Sequence, residues 1–293
     1  MKFEGMYSAL FSIYDENLKV KKDSVKALME YNQKNEIDGF YVGGATGECV
    51  VLPNRTRIEM LETAVENKKD SKIIAHIGAG HFEDTKELLL HANTLDIDAI
   101  ASLPPALMPY YNEEETVEYY KGISSMTDKP VMAYIQSFYT GNVVKLAEKL
   151  MAIPNVVGIK LTVPNYYLFE QIRRNFPEIN LLNGPDESAL AGLISGADGA
   201  IGTTYNLLPG VASELYTAFV KGNIKTAQEN QHKLNALIDV LLGGKRPQWK
   251  EVLRFIDIDP GYTVFPAVKL TDTEKEELKK KVISCGAYKL MVK

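Results

Sequence analysis

Short runs of apolar, β-forming residues recur along the chain. Each is followed by a stretch whose apolar positions fall at helical spacing. The runs occupy 7–12, 39–42, 73–76, 99–103, 131–134, 156–161, 181–183 and 199–202. Between them, Val25, Leu28, Met29 and Asn32 step by three, one and three, and Ile58, Leu61, Ala64 and Val65 by three, three and one, which puts each set on one helix face. Further helices are expected over 83–93, 113–126, 142–151, 167–175, 187–195 and 211–221. Asp84 before Thr85, Asn112 before a run of glutamates and Asn142 after Gly141 are residue types that open helices.

Short strands alternating with helices imply parallel pairing, because parallel strands need a crossover between them. Eight such units in roughly 210 residues predict an α/β protein, a (β/α)8 TIM barrel, an architecture of about 250 residues. An open doubly wound sheet would carry G-x-G-x-x-G in its first turn, and this chain does not. Residues 225–242, 248–256 and 273–284 read as additional helices. The expected organisation is a barrel over 1–222 with C-terminal helices over 223–293 packed on it as a single structural unit.

Composition narrows the partners. Hydrophobic residues make up 45% and charged residues 24% of the 293, as in a soluble globular protein. A formal charge of −5 argues against nucleic acid or an anionic membrane surface. The N-terminal stretch has too short an apolar run for a signal peptide, and no segment has the length of apolar sequence that spans a bilayer. Cys49 and Cys285 are far apart, without metal-type spacing, which fits a reducing, cytoplasmic compartment. His76, His81, His91 and His232 show no metal spacing either, so no metal is expected.

In a barrel the chemistry sits at the C-terminal ends of the strands. There the chain carries GGATGE (43–48), His76, Tyr134, Lys160 and Thr162 in VVGIKLT, NGPDE (183–187) and GTTYN (202–206). Lys160 lies inside an apolar run. Burying it charged is unfavourable, and a neutral amine can attack a carbonyl to form a Schiff base. The same lysine would also fit a structural place, turned outward or paired with a carboxylate. Tyr134, one strand away, suits a proton relay or a core position with a satisfied hydroxyl. Asp186 and Glu187 are adjacent and point apart. They suit hydrogen bonds to hydroxyls, or the cap and first turn of the next helix. Thr203, Thr204 and Tyr205 can line a pocket or make a turn. Cys49 reads as a packed small hydrophobe and the glutamates from Glu113 to Glu115 as a helix start.

GGATGE, Tyr134, GIKLT around Lys160, NGPDE and GADGAIGTTYN, taken in order, resemble the N-acetylneuraminate lyase and dihydrodipicolinate synthase family, through essentially the whole chain. The resemblance implies class I aldolase chemistry with no cofactor other than the covalent Schiff base on Lys160. Tyr134 would shuttle a proton. Gly44, Ala45 and Thr46 would bind the keto-acid carboxylate through converging amides and the Thr46 hydroxyl. Thr162, Gly184, Asp186, Glu187 and Thr203 would complete the substrate site. YVGGATGE, AHIG, NGPDE and GTTYN are similar to the sialic acid lyase branch. It implies reversible cleavage of N-acetylneuraminate to pyruvate and N-acetylmannosamine, by a homotetramer. The synthases place an arginine shortly after the strand-5 tyrosine, and here 134–141 has none. A related 2-keto-3-deoxy sugar acid aldolase, a synthase-like enzyme or a silent sugar-acid-binding homologue are the alternatives.

Three departures bear on activity. Ala45 stands where the lyases have Ser or Thr in a relay with the tyrosine. Leu107 stands where the family's strand-4 tyrosine reaches a neighbouring subunit, with Tyr110 and Tyr111 just beyond. YIQS replaces Y-N-I-P, removing a turn proline.

Overall fold

The computed structural model describes residues 2–105 and 111–292. Eight parallel strands close on themselves in chain order: β1 (Gly5–Ala9), β2 (Gly39–Val42), β3 (Lys72–His76), β4 (Ala99–Ser102), β5 (Val131–Gln136), β6 (Val156–Thr162), β7 (Asn180–Asn183) and β8 (Gly199–Gly202). After them in turn come α1 (Lys22–Lys34), α2 (Asn54–Glu66), α3 (Phe82–Asn93), α4 (Glu113–Ser124), α5 (Val143–Met151), α6 (Tyr166–Asn175), α7 (Ala189–Ile194) and α8 (Pro209–Val220). This is the (β/α)8 barrel that the alternating pattern predicts. The chain then adds α9 (Ile224–Leu242), α10 (Gln248–Glu251), α11 (Asp272–Ser284) and α12 (Ala287–Met291). None of the described helices is long and apolar enough to cross a membrane.

The strands sort their side chains with a period of two. Tyr7, Tyr41, Ile74, Met132, Tyr134 and Leu182 form one buried cluster, the filling of the barrel. Their strand neighbours Met6, Phe40, Ile73, Val131, Ile159 and Leu161 belong to a larger cluster under the helices. Leu215 of α8 and Leu234, Leu237 and Val282 of the C-terminal helices share that cluster. With about 0.8 kcal/mol per buried CH2, it is the main source of cohesion.

The differences from the expected elements have local causes. The first strand covers Gly5–Ala9, not 7–12. Asp38 accepts a hydrogen bond from the Met6 amide at 2.7 Å and seats the strand early, while Leu10, Phe11 and Ile13 stay buried beyond its end, so apolarity runs past the ladder. β5 continues through Ile135 and Gln136, which pair with Leu161 and Thr162. The expected helix over 187–195 divides into a 3-10 turn, Asp186–Ser188, and α7, and that over 248–256 into α10 and a 3-10 turn, Val252–Ile256. Helix α3 is capped by His81, whose ring accepts from the Glu83 amide. Asp84 sits in the first turn instead. Asn112 and Asn142 do cap α4 and α5.

Candidate active site

On β6 the outward Ile159 and Leu161 pack under the helices, so Lys160 points into the barrel. It is 6% exposed. Its Nζ lies 4.2 Å from the ring centroid of Tyr41 and 4.2 Å from that of Tyr134. Tyr134 is its register partner on β5. Tyr41, Tyr134 and His76 pack on one another, with centroids 5.7–6.3 Å apart, and the two contacts to Tyr134 are edge-on. Lys160 is therefore not turned outward, and among the described residues it has no carboxylate partner. The Tyr134 hydroxyl accepts a hydrogen bond from Gln136 Nε2 at 2.5 Å. The Tyr41 hydroxyl is buried with no partner among the described residues.

The glycine-rich loop begins where β2 ends. Gly43 has a positive φ of 76°, and a Cβ on Gly44 would lie 2.5 Å from Tyr41 Cε1. The Gly43 carbonyl accepts from His76 Nδ1 at 3.0 Å and from Arg57 Nη2 at 3.4 Å, and Arg57 also donates to the His76 carbonyl at 3.0 Å. His76 Nε2 in turn accepts from the Leu103 amide at 3.2 Å. These partners fix a neutral imidazole with its proton on Nδ1. The amides of Ala45 and Thr46 donate to no acceptor among the described residues. Thr46 Oγ1 lies 2.7 Å from Thr203 Oγ1, which joins two of the expected site residues across the mouth of the barrel. Arg246 Nη2 donates to the Ala45 carbonyl at 3.0 Å. A cleft of about 270 Å3 opens here, with Ala45, Thr46, Thr203, Arg246 and Trp249 in its walls.

Burial, reinforced by the charges of Arg57 and Lys160, holds the His76 imidazole well below its usual range. Below about pH 6.5 the unfolded chain protonates this residue and the folded chain does not. The unfolded state then binds the extra proton, so stability should fall by about 1.4 kcal/mol per pH unit as pH drops. Urea unfolding of wild type and His76→Gln between pH 6.5 and 5 should show this component in the first only. Equal slopes would mean that His76 titrates in the fold.

Beneath the loop lies a group that the sequence reading missed. Glu48, with φ 62°, occupies the left-handed region that a side chain rarely adopts. Its carboxylate accepts from the Tyr14 hydroxyl at 2.5 Å and pairs with Lys250 Nζ at 3.2 Å. Lys250 also donates to the carbonyls of Ser12 (3.2 Å) and Tyr262 (3.1 Å), and lies over the Tyr14 ring at 4.4 Å. Burial pushes the Lys250 ammonium down against the opposing pull of Glu48. Lys250 sits on α10 and is separated by 202 residues from Glu48, so no local pattern connects them.

Thr162 and Gly184 are in contact: a Cβ on Gly184 would lie 1.8 Å from Thr162 Oγ1. That hydroxyl is buried without a partner among the described residues. Gly184→Ala should cost about 1–3 kcal/mol by overpacking, and Thr162→Ala in the same chain should recover only part of it, since the Cβ at 162 still lies 2.8 Å away, measured as a double-mutant cycle of unfolding free energies. Asp186 Oδ2 accepts from the Thr204 amide at 2.8 Å and from its hydroxyl, which ties the loop after β7 to the one after β8. Glu187 is exposed, so the upward push on its carboxyl, from burial and then Asp186, is screened by solvent. From α9, Gln231 donates to the Asp186 carbonyl at 2.9 Å and Asn235 to that of Glu187 at 3.0 Å.

Tyr111 packs on Tyr119 with centroids 6.4 Å apart, while Leu107 and Tyr110 lie outside the described residues. Among the described residues no group of three or more His, Cys, Asp or Glu side chains is placed to hold a metal ion.

A lysine at the end of β6, a tyrosine beside it on β5 and a glycine turn after β2 also link this chain to known proteins. Residues 2–284 match the dihydrodipicolinate synthetase family. An N-acetylneuraminate lyase from Escherichia coli (strain SMS-3-5 / SECEC) is 34% identical over 258 residues, 87% of each chain. The structure of the Proteus mirabilis N-acetylneuraminate lyase superposes with a TM-score of 0.90 at 27% identity, covering 97% of this chain and 99% of the other. That of the Fusobacterium nucleatum N-acetylneuraminate lyase complexed with pyruvate gives 0.88 at 29% identity, covering 96% of each. On fold, motif order and extent of match, the chain belongs to the dihydrodipicolinate synthetase family.

Proposed function

We propose that this protein is a Schiff-base aldolase, a carbon–carbon lyase that cleaves N-acetylneuraminate or a closely related 2-keto-3-deoxy sugar acid and releases pyruvate. The observation that carries the reading is Lys160: a buried amine facing two tyrosine rings, with no carboxylate partner among the described residues. The relatives named above support the substrate.

In this reading, Lys160 Nζ adds to the C2 carbonyl, and the carbinolamine hydroxyl leaves as water with the Tyr134 phenol proton, giving an iminium and a phenolate. Tyr134 takes the proton from the C4 hydroxyl as the C3–C4 bond breaks. The bonding electrons pass into the iminium to give an enamine, and the aldehyde departs. Protonation of the enamine at C3 and hydrolysis then free pyruvate and restore the amine, so no cofactor is required. The amides of Ala45 and Thr46 and the Thr46 hydroxyl hold the carboxylate, as backbone N–H groups converging on an anion do. Gly44, Thr162 and Gly184 shape the site, and Asp186, Glu187 and Thr203 border the place of the hydroxylated tail.

The absence of arginine between Tyr134 and Gly141, where the chain has Phe138 and Tyr139, favours the lyase over the synthase reading. A panel of sugar acids with pyruvate release as readout tests the substrate. N-acetylneuraminate should turn over best, and a different preferred sugar acid would move the assignment within the class. A homotetramer is the assembly this reading carries, to be checked by analytical ultracentrifugation. A cytoplasmic location fits the free Cys49 and Cys285.

A further inference from the structure

We infer that Gln136 is a positioning residue for Tyr134: its side-chain amide donates to the phenol oxygen and leaves the phenol proton directed at the reacting centre. The inference rests on the aldolase reading for its catalytic meaning, but its geometry stands apart from it.

Tyr134 and Gln136 are two residues apart on β5, so their side chains leave the same face of the strand. Gln136 Nε2 is 2.5 Å from the Tyr134 hydroxyl, the one hydrogen bond of that oxygen among the described residues. An amide N–H can only donate. The phenol oxygen therefore accepts, and its own proton is left for another partner. The centroid of the Tyr134 ring lies 4.2 Å from Lys160 Nζ, so the tyrosine borders the place of a carbonyl held by that amine. Two alternative partners are missing. Ala45, in the loop across the mouth, has no side-chain hydroxyl. The hydroxyl of neighbouring Tyr120 is occupied with the Ser102 carbonyl at 2.6 Å and with the backbone of Tyr134, not with its phenol. Donation to the phenol oxygen also stabilises negative charge there when the proton has moved to the substrate.

Gln136 thus acts through Tyr134, not on the substrate. This predicts a particular split. Gln136→Leu keeps the bulk and removes the donor. It should lower kcat about 10-fold or more with little change in KM, flatten or displace the limb of the pH–rate profile that Tyr134→Phe abolishes, and leave borohydride trapping of pyruvate on Lys160 intact. Gln136→Glu puts an acceptor where the donor was and should lower kcat further. An NMR readout does not depend on turnover: the Tyr134 13Cζ resonance, assigned through Tyr134→Phe, should shift in Gln136→Leu at neutral pH. The inference is overturned by an unmoved resonance, by wild-type kcat and pH profile in Gln136→Leu, or by wild-type kcat in Gln136→Glu. Failure of wild type to trap pyruvate would strike the aldolase reading, and the resonance would still decide the hydrogen bond.

Discussion

Pyruvate and borohydride together should add one reduced three-carbon adduct to wild type, on Lys160, and none to Lys160→Ala. The amine condenses with the keto carbon and loses water, and hydride then fixes the iminium as a secondary amine that survives digestion and mass spectrometry. The same substitution should lower lyase turnover by about four orders of magnitude or more, the scale on which loss of a covalent nucleophile is felt. The effect is expected to be this large because, among the described residues, no other lysine shares the place. Lys250 is bound to Glu48 and three further groups, and no other amine of the described residues lies against the rings of Tyr41 and Tyr134. Circular dichroism of Lys160→Ala should stay that of a barrel, since the lysine contributes no ion pair among the described residues. A wild-type protein that binds pyruvate but never traps it would refute the aldolase reading.

The second large effect concerns stability. Lys250→Met should lower the unfolding free energy by about 3–5 kcal/mol, because it leaves the Glu48 carboxylate buried without its cation. Adding Glu48→Gln should return part of the loss, because a neutral amide can still accept from Tyr14 and no longer needs a counter-charge. Urea titration at pH 7 measures both. The damage should also reach the site. Glu48 closes the glycine turn in a left-handed conformation that its ties to Tyr14 and Lys250 maintain, so Lys250→Met should weaken pyruvate binding more than an equally destabilising change in α11. Equal binding in the two variants would separate the cluster from the site.

These particulars show what the residue order reveals and what it hides. The barrel was legible because strand runs and helical spacing are local, repeating signals. For Lys160 and Tyr134 the apolar runs left a structural place open as well, and it was the order of motifs shared with the family that singled them out. Gln136 was hidden because a polar residue after an apolar run looks like the end of a strand, whereas pairing with Thr162 carries β5 onward. The Glu48–Lys250 pair and the Asp186–Thr204 tie are contacts between distant segments, and their partners have no spacing that could announce them. Asp186 illustrates the limit well. It begins the 3-10 turn that also holds Glu187, one of the two places expected for the pair, but its carboxylate serves the loop after another strand.

Tyr41 touches both halves of the site. One edge of its ring abuts Gly44, and its face covers the Lys160 amine. The ring is thus a spacer between the turn that would hold a carboxylate and the nitrogen that would bond to the adjacent carbon, and its width sets that gap. Positions 41 and 44 are consequently coupled by packing. A side chain at 44 can be accepted only with a smaller residue at 41, and that exchange would unseat the lysine. The exposed tip at Ala45 is under no such constraint, which leaves it open to change while the two residues behind it stay locked together.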